Sequence, residues 1–394
     1  MAFDKNTFCI APWFGVHVNP EGILSPCCKY REPTRFAYNN IEQYFQSDTL
    51  KKLRQDLLNG IKNENCMSCW TDEEKYGHSL RTMSNKTFGL FSEYSISEQI
   101  NRPEISKIQM FDLSLGNLCN LKCLMCDPTN SSQLLAEVNL HPELTSNFNF
   151  TKKNVLDQKK YDWPKTKNFV DWCEEYLPKA IHIAFAGGEP FIIPWIESVI
   201  ENIPDKQKIK CILHFTTNLT VVNHSILKVF EKFKEVWISV SCEGIWSTLE
   251  YIRYGHKWTD LCLNLKMLKN KNIKNLKIGI NHVVQAPSYH SIIPMTHFFD
   301  SLDLQINPIL LSDPECYHIS ALSKKSKQEF LDRTNNYKGK NLNFIQFVRS
   351  ATRKYLEQDR VLTDACVKRL TNFDKVRKTD YKKIIPLDNL QKNY

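Results

Sequence analysis

Between residues 105 and 312 the chain repeats one pattern: a short apolar run, then a more polar stretch with helical spacing. The runs are 107–115, 180–186, 211–216, 235–241, 276–284 and 304–310. Segments such as Ile181-His182-Ile183-Ala184-Phe185 are rich in the β-branched and aromatic residues that suit a pleated, half-buried surface. The spacers 192–202, 223–233 and 258–270 place apolar residues at helical intervals. Strands that alternate with helices pair in parallel, joined by right-handed crossovers. The stretch is too short for eight βα units and long enough for six. The predicted fold is therefore α/β, a partial (β/α)6 barrel.

Two flanking regions differ from this core. Residues 1–85 read as a small cysteine-rich α+β unit. A hairpin is expected from 11–18 and 23–25, turned at Asn19-Pro20-Glu21-Gly22. A helix is expected over 48–59, capped by Ser47, with Leu50, Leu53 and Leu57 on one face and Gly60 as its stop. Residues 313–394 read as a helical extension, with helices near 324–335 and 343–358 and a basic end. The segment 127–170 is polar and irregular, an expected excursion from the barrel.

No run of 18 apolar residues occurs, so no membrane span is predicted. The N-terminus lacks a basic segment followed by an apolar one, so no secretory signal is predicted and a cytoplasmic location is expected. The net charge of +9 is dispersed, which fits a solvated surface. Fourteen cysteines in a cytosolic chain of this length point away from disulfides and toward metal.

Cys119, Cys123 and Cys126 follow the first strand of the barrel in a C-x3-C-x2-C run. Structural zinc favours four ligands in paired knuckles, which this spacing does not supply. Three thiolates on one loop can instead hold three corners of a 4Fe–4S cubane and leave its fourth iron open. The position also fits, because the sites of βα barrels lie on loops after the strands. A second set comprises Cys9, Cys27, Cys66 and Cys69. Four thiolates can close around zinc or fully ligate an iron–sulfur cluster, and spacing alone leaves both open. Cys28 is an alternative to Cys27.

The three-cysteine loop resembles the signature of the radical S-adenosylmethionine (SAM) superfamily, with Met125 where that family usually has an aromatic residue near the adenine. The resemblance covers residues 105–312. It extends to Gly187-Gly188-Glu189-Pro190, similar to the family's GGEP turn that meets the SAM ammonium, and to Thr217-Asn218 after the third strand. Ser241 and Glu243 stand where relatives hold the SAM carboxylate and approach the ribose. Arg253 stands in a stretch whose arginine pairs with the carboxylate. Asn281 faces the same pocket by position. The stretch Cys9-x12-Gly22-x4-Cys27 resembles the twitch and SPASM auxiliary-cluster units, here placed before the barrel and opening with Phe8-Cys9-Ile10-Ala11-Pro12-Trp13.

The resemblance implies a radical SAM oxidoreductase or maturase. Its cofactors would be SAM, the 4Fe–4S cluster that binds it, and a second 4Fe–4S cluster, with zinc as the alternative. Its partners would be a reductant such as flavodoxin or ferredoxin and a small-molecule or peptide substrate. A nucleotide- or RNA-modifying role and an inactive zinc-stabilised binding protein are the alternative readings. Nucleic acid is not an expected partner, because the basic end lacks interleaved aromatics.

Overall fold

Side chains alternate along each strand, and here the alternation separates two unlike faces. The computed structural model describes residues 6–87, 93–148, 157–386 and 390. The strands are β1 (Gly15–Val18), β2 (Leu24–Ser25), β3 (Met110–Ser114), β4 (His182–Ala186), β5 (Ile212–Thr217), β6 (Glu235–Ser241), β7 (Leu276–Val284) and β8 (Gln305–Leu310). Their order in one sheet is β2-β1-β3-β4-β5-β6-β7-β8. The pairings β1–β3, β3–β4, β4–β5 and β7–β8 are parallel, and β1–β2 is antiparallel. All six predicted barrel strands are present, and β6 and β7 match their predicted bounds residue for residue.

The chain packs as two compact units. The first holds Met1–Asn117, Gln158–Phe215 and His224–Val236. On one face of its strands Phe111, Leu113, Ile183, Phe185, Leu213 and Phe215 are buried. Trp172 of the helix Lys167–Tyr176 meets Phe111 edge-on at 5.8 Å, and Phe230 lies 5.7 Å from Phe215. Each such aromatic contributes about 2–3 kcal/mol by leaving water. The other face carries His17, Asp112, His182 and His214.

The N-terminal hairpin is part of this sheet. His17 pairs with Ser25 on one side and with Asp112 on the other. Its first half differs from expectation: Ala11–Phe14 is a helical turn, and the strand begins only at Gly15. Pro12 causes this, since its fixed φ and missing N–H suit the first turn of a helix. Gly22 sits at φ +79°, and a Cβ there would meet the Trp163 ring at 3.1 Å. The predicted helix forms as Asp48–Leu58, with Ser47 accepting from the Leu50 amide and the three leucines buried.

The second unit holds Leu118–Asp157, Thr216–Asn223 and Trp237–Tyr394. The expected helices appear as Lys324–Arg333 and Leu342–Lys354. The basic end is a third helix, Arg360–Arg377, opened by an Asp359 cap. Charge hid it from sequence reading, because two of its arginines point inward. Arg377 donates to both oxygens of Glu137, the closer contact being 2.7 Å, and Lys122 reaches the same carboxylate at 2.9 Å. Glu137 lies on Ser132–Leu140, a helix inside the segment expected to be irregular. Residues 149–156 of that segment lie outside the described residues. Among the described residues no helix is long and apolar enough to cross a membrane.

Burial alone would raise the Glu137 carboxyl, but Arg377 and Lys122 hold it below the usual carboxylate range. Its stabilising contribution is therefore complete above the ordinary value of 4.5 and fades as pH falls below that toward the depressed native value. Replacing Glu137 by Gln strands the buried Arg377, and urea unfolding at pH 7 should show a loss of about 3–5 kcal/mol. The gap between wild type and variant should narrow below about pH 4.5.

Candidate metal centres

The loop after β3 is held from several sides within the second unit. The amides of Lys122 and Leu124 donate to the carbonyls of Tyr254 and Ile252 at 2.9 and 2.8 Å. Ser131 Oγ donates to the Leu121 carbonyl at 2.6 Å, and Arg369 Nη2 reaches the Leu124 carbonyl at 3.3 Å. Gly255, at φ +101°, lets the two segments touch: a Cβ there would lie 3.3 Å from Leu121. Cys126 N donates to the Cys123 carbonyl at 3.2 Å, which curls the loop back on itself. Cys119 and Cys123 are buried, Cys126 is partly so, and Met125 packs against them.

Charge is arranged around these sulfurs. A hydrogen bond from the Cys126 thiol lowers the Cys123 pKa against the pull of burial, and Arg253 lowers it further. Cys126 is raised in turn, first by that bond, then by burial and by the charges of Cys123 and Cys119. Arg253 Nη1 lies 3.7 Å from Cys123 Sγ. Its other two nitrogens grip Glu243: Nη2 to Oε1 at 2.8 Å and Nε to Oε2 at 2.5 Å. Burial works against the Arg253 charge, and Glu243 and Cys123 more than offset it. Three thiols beside a fixed guanidinium suit an anionic thiolate cluster, so the donor set fits an iron–sulfur group.

The other expected residues fall as follows. Asn218 Nδ2 donates to Asn120 Oδ1 at 3.1 Å, and its carbonyl lies 2.7 Å from His256 Nε2. Ser241 ends β6 and Asn281 lies within β7; both are half-buried, and the Asn281 carbonyl accepts from Cys242 N at 2.9 Å. His282, fully buried, places Nδ1 2.9 Å from the Cys242 carbonyl. In the first unit Gly187 and Gly188 both take positive φ, and a Cβ on Gly187 would strike Ser114 at 2.7 Å. Glu189 is buried and accepts from the Phe191 amide at 3.1 Å.

The N-terminal cysteines also converge, within the first unit. Cys9 is pushed up to about 12, chiefly by burial and then by the Cys66 and Cys69 sulfurs, while the Ala11 backbone and Arg81 oppose them. Cys27 is raised by burial and then by Cys9, Cys69 and Cys66. Cys28 has a different neighbour: Asp112 raises its thiol after burial does. Cys66 and Cys69 lie at the start of the helix Met67–Tyr76, whose amide end favours thiolates. Arg81 Nη1 and Asn85 Nδ2 hold the Phe8 carbonyl at 2.6 and 2.7 Å, fixing the strand of chain that carries Cys9. Four thiols of this kind fit a closed cluster or zinc. Among the described residues no three Cys, His, Asp or Glu side chains form a ready-made site for a single metal ion.

The radical SAM superfamily profile matches residues 113–285, which contain the three-cysteine loop and the Gly187–Glu189 turn. The barrel is a radical SAM domain. Two solved structures similar to this chain are SuiB of Streptococcus suis bound to its precursor peptide SuiA, and anSMEcpe with bound AdoMet and a peptide. SuiB shares 14% identity over 72% of this chain, with a TM-score of 0.39. For anSMEcpe the values are 15%, 57% and 0.35. The matches span 63% of SuiB and 58% of anSMEcpe, less than two thirds of either. No curated protein matches the chain.

Sequence reading missed a group on the polar face of β1, β3, β4 and β5. His17 Nδ1 lies 3.1 Å from Asp112 Oδ2, and the rings of His182 and His214 are 6.2 Å apart. Only the period-two spacing of these residues within apolar runs could have signalled them. Burial, then His214, lowers His182 from 6.5 to about 4, although Asp112 opposes this. The unfolded chain therefore binds a proton between these values that the native state refuses. Stability contributed by neutral His182 is complete above pH 6.5 and is lost as pH falls toward 4, roughly 3 kcal/mol in all. His182→Gln should flatten the stability–pH curve across that window, measured by urea unfolding.

Proposed function

We propose that this protein cleaves SAM reductively at a 4Fe–4S cluster held by Cys119, Cys123 and Cys126, and abstracts hydrogen from a substrate. The observation that carries this reading is the buried three-thiol loop with Arg253 beside Cys123, inside a radical SAM domain. When bound, the cluster and SAM supply a 5′-deoxyadenosyl radical, chemistry that belongs to the cofactors. The chain's part is to bind, orient and exclude water. By resemblance, Gly187, Gly188 and Glu189 meet the SAM ammonium, and Met125 lies by the adenine. Ser241, with Arg253, serves the carboxylate, and Glu243 keeps the guanidinium charged and fixed. Asn218 braces the cysteine loop through Asn120. Asn281 contributes a polar group at the end of the pocket.

The N-terminal unit is a twitch-like auxiliary site, with Cys9, Cys27, Cys66 and Cys69 holding a second 4Fe–4S cluster. The influence of Cys9, Cys69 and Cys66 on Cys27, where Cys28 is influenced first by Asp112, supports Cys27 as the fourth ligand. With four cysteine ligands no iron would be open, so such a cluster would carry electrons rather than bind substrate. The outcome is a two-electron oxidation or a cross-link on a peptide or sugar-type substrate. The reductant is a flavodoxin or ferredoxin, and the setting is the cytoplasm.

Anaerobic reconstitution should give about eight irons per chain and as many sulfides. Cys27→Ser should lower the iron to about four, and Cys28→Ser should leave it near eight. About four irons with one zinc in the wild type would overturn the auxiliary cluster. With dithionite and SAM the wild type should form 5′-deoxyadenosine, and Cys123→Ser should form none. In Cys69→Ala, SAM cleavage should persist while product is lost.

A further inference from the structure

One side of the cysteine loop opens onto a basic surface that SAM binding leaves unused. A cavity of about 220 Å³ in the second unit is lined by Lys122, Glu137, His141, Tyr254, Arg377 and Lys378, among others. Lys122 sits on the loop itself, next to Cys123, about 3.8 Å away between Cα atoms. Tyr254 is next to Arg253, whose guanidinium reaches Cys123 Sγ at 3.7 Å. Two walls of the cavity are therefore one residue away from the thiol site. They are also tied to each other. The Lys122 amide donates to the Tyr254 carbonyl at 2.9 Å, and its ammonium lies 5.1 Å from the centre of the Tyr254 ring. Arg377 stacks on the same ring at 4.7 Å.

The charge here is positive. The Glu137 carboxylate is shared by Arg377 and Lys122, so one anion faces two cations, and Arg377 Nη1 is buried without a hydrogen-bond partner. Lys378 adds a cation at the rim: it is exposed and ends the helix Arg360–Arg377 in a left-handed turn. Lys375, one turn back, is exposed as well, as are Lys382 and Lys383 just beyond. The acids of this helix end are engaged locally. Asp374 accepts from Tyr251 Oη at 2.9 Å and from the Tyr381 amide at 2.7 Å, and Asp380 accepts from the Lys382 amide at 3.1 Å. Glu143, exposed beside the cavity, lies 3.4 Å from His141.

We infer that this surface docks a small acidic electron-carrier protein, and that Lys122, Lys375 and Lys378 seat it against the cysteine loop. This rests on the SAM-cleaving reading above, which needs an electron delivered from outside the chain. The carrier loses one electron and the bound cluster gains it; no bond or proton moves in that step. Exposed lysines complement the carrier's carboxylates, speed the encounter and orient it, an effect that salt screens. The observations favour a protein over a nucleic acid. A phosphate backbone is tracked by cations spread along a helix or groove. Here the exposed lysines cluster at one helix end, and the exposed Glu143 carboxylate beside them would repel phosphates.

The test uses reconstituted holoenzyme and flavodoxin, with ferredoxin in a parallel arm. Carbodiimide couples carrier carboxylates to lysines in contact with them. Mass spectrometry of the wild-type conjugate should place the joints at Lys122, Lys375 or Lys378. Calorimetric titration should show binding that weakens as salt is raised. The double variant Lys375→Glu/Lys378→Glu should bind about tenfold more weakly and, at limiting carrier, form 5′-deoxyadenosine about tenfold more slowly. With dithionite, which needs no docking, it should match wild type. Lys271→Glu/Lys274→Glu, just before β7, should match wild type in every assay. The proposal is overturned by cross-links that fall elsewhere, by a double variant that binds the carrier and takes its electrons as wild type does, or by a wild type that binds an RNA oligonucleotide and neither carrier. The cross-links are mapped on wild type, so they decide the matter even where a variant misfolds. A wild type that forms no 5′-deoxyadenosine with dithionite sinks the SAM-cleaving reading itself. Turnover with dithionite alongside any of those outcomes sinks this proposal alone.

Discussion

Arg253 lies between Glu243 and Cys123, and the second unit is organised around that contact. A buried guanidinium is costly to desolvate, and a fully buried Glu243 that grips two of its nitrogens makes the burial tolerable. The third nitrogen is then presented to a thiol. The same stretch of chain supplies the carbonyls of Ile252 and Tyr254 that hold the cysteine loop. One segment therefore fixes both the charge and the path of the loop. A lysine at 253 could not do both, because it lacks the planar fork.

A second constraint is the division of labour across the strands. In the first unit one face is filled by Phe111, Leu113, Phe185 and Phe215, which leave water together and stabilise the sheet. The other face is thereby free to carry His17, Asp112, His182 and His214. Stability is drawn from one side, and polar groups are kept on the other. The C-terminal helix Arg360–Arg377 shows a related economy. Arg369 and Arg377 read as a basic surface, yet they point inward, toward Leu124 and Glu137.

Much of this was legible from local pattern. The six barrel strands stood out because β-branched runs separated by amphipathic spacers have one ready solution in space, the parallel sheet with crossovers. The helix Asp48–Leu58 was legible from its cap and leucine stripe. The helix Ala11–Phe14 was misread because the apolar run around Pro12 looks the same to a strand or a buried helical turn. The helix Lys167–Tyr176 was missed because tertiary packing, through residues such as Trp172, stabilises it more than its polar composition suggests, and Ser132–Leu140 because a polar segment surrounds it.

The sequence by itself determined that three thiols would share one loop after a strand, since groups on a short loop cannot stray far apart. It also determined the alternating faces of the strands, because parity along a strand is a local property. Only the tertiary structure decided that Cys27 feels the charges of Cys9, Cys66 and Cys69 while Cys28 feels that of Asp112. It alone joined His17 to Asp112 and His182 to His214. Those partners lie on different strands, and sheet register between distant segments, which no local spacing encodes, brings them side by side.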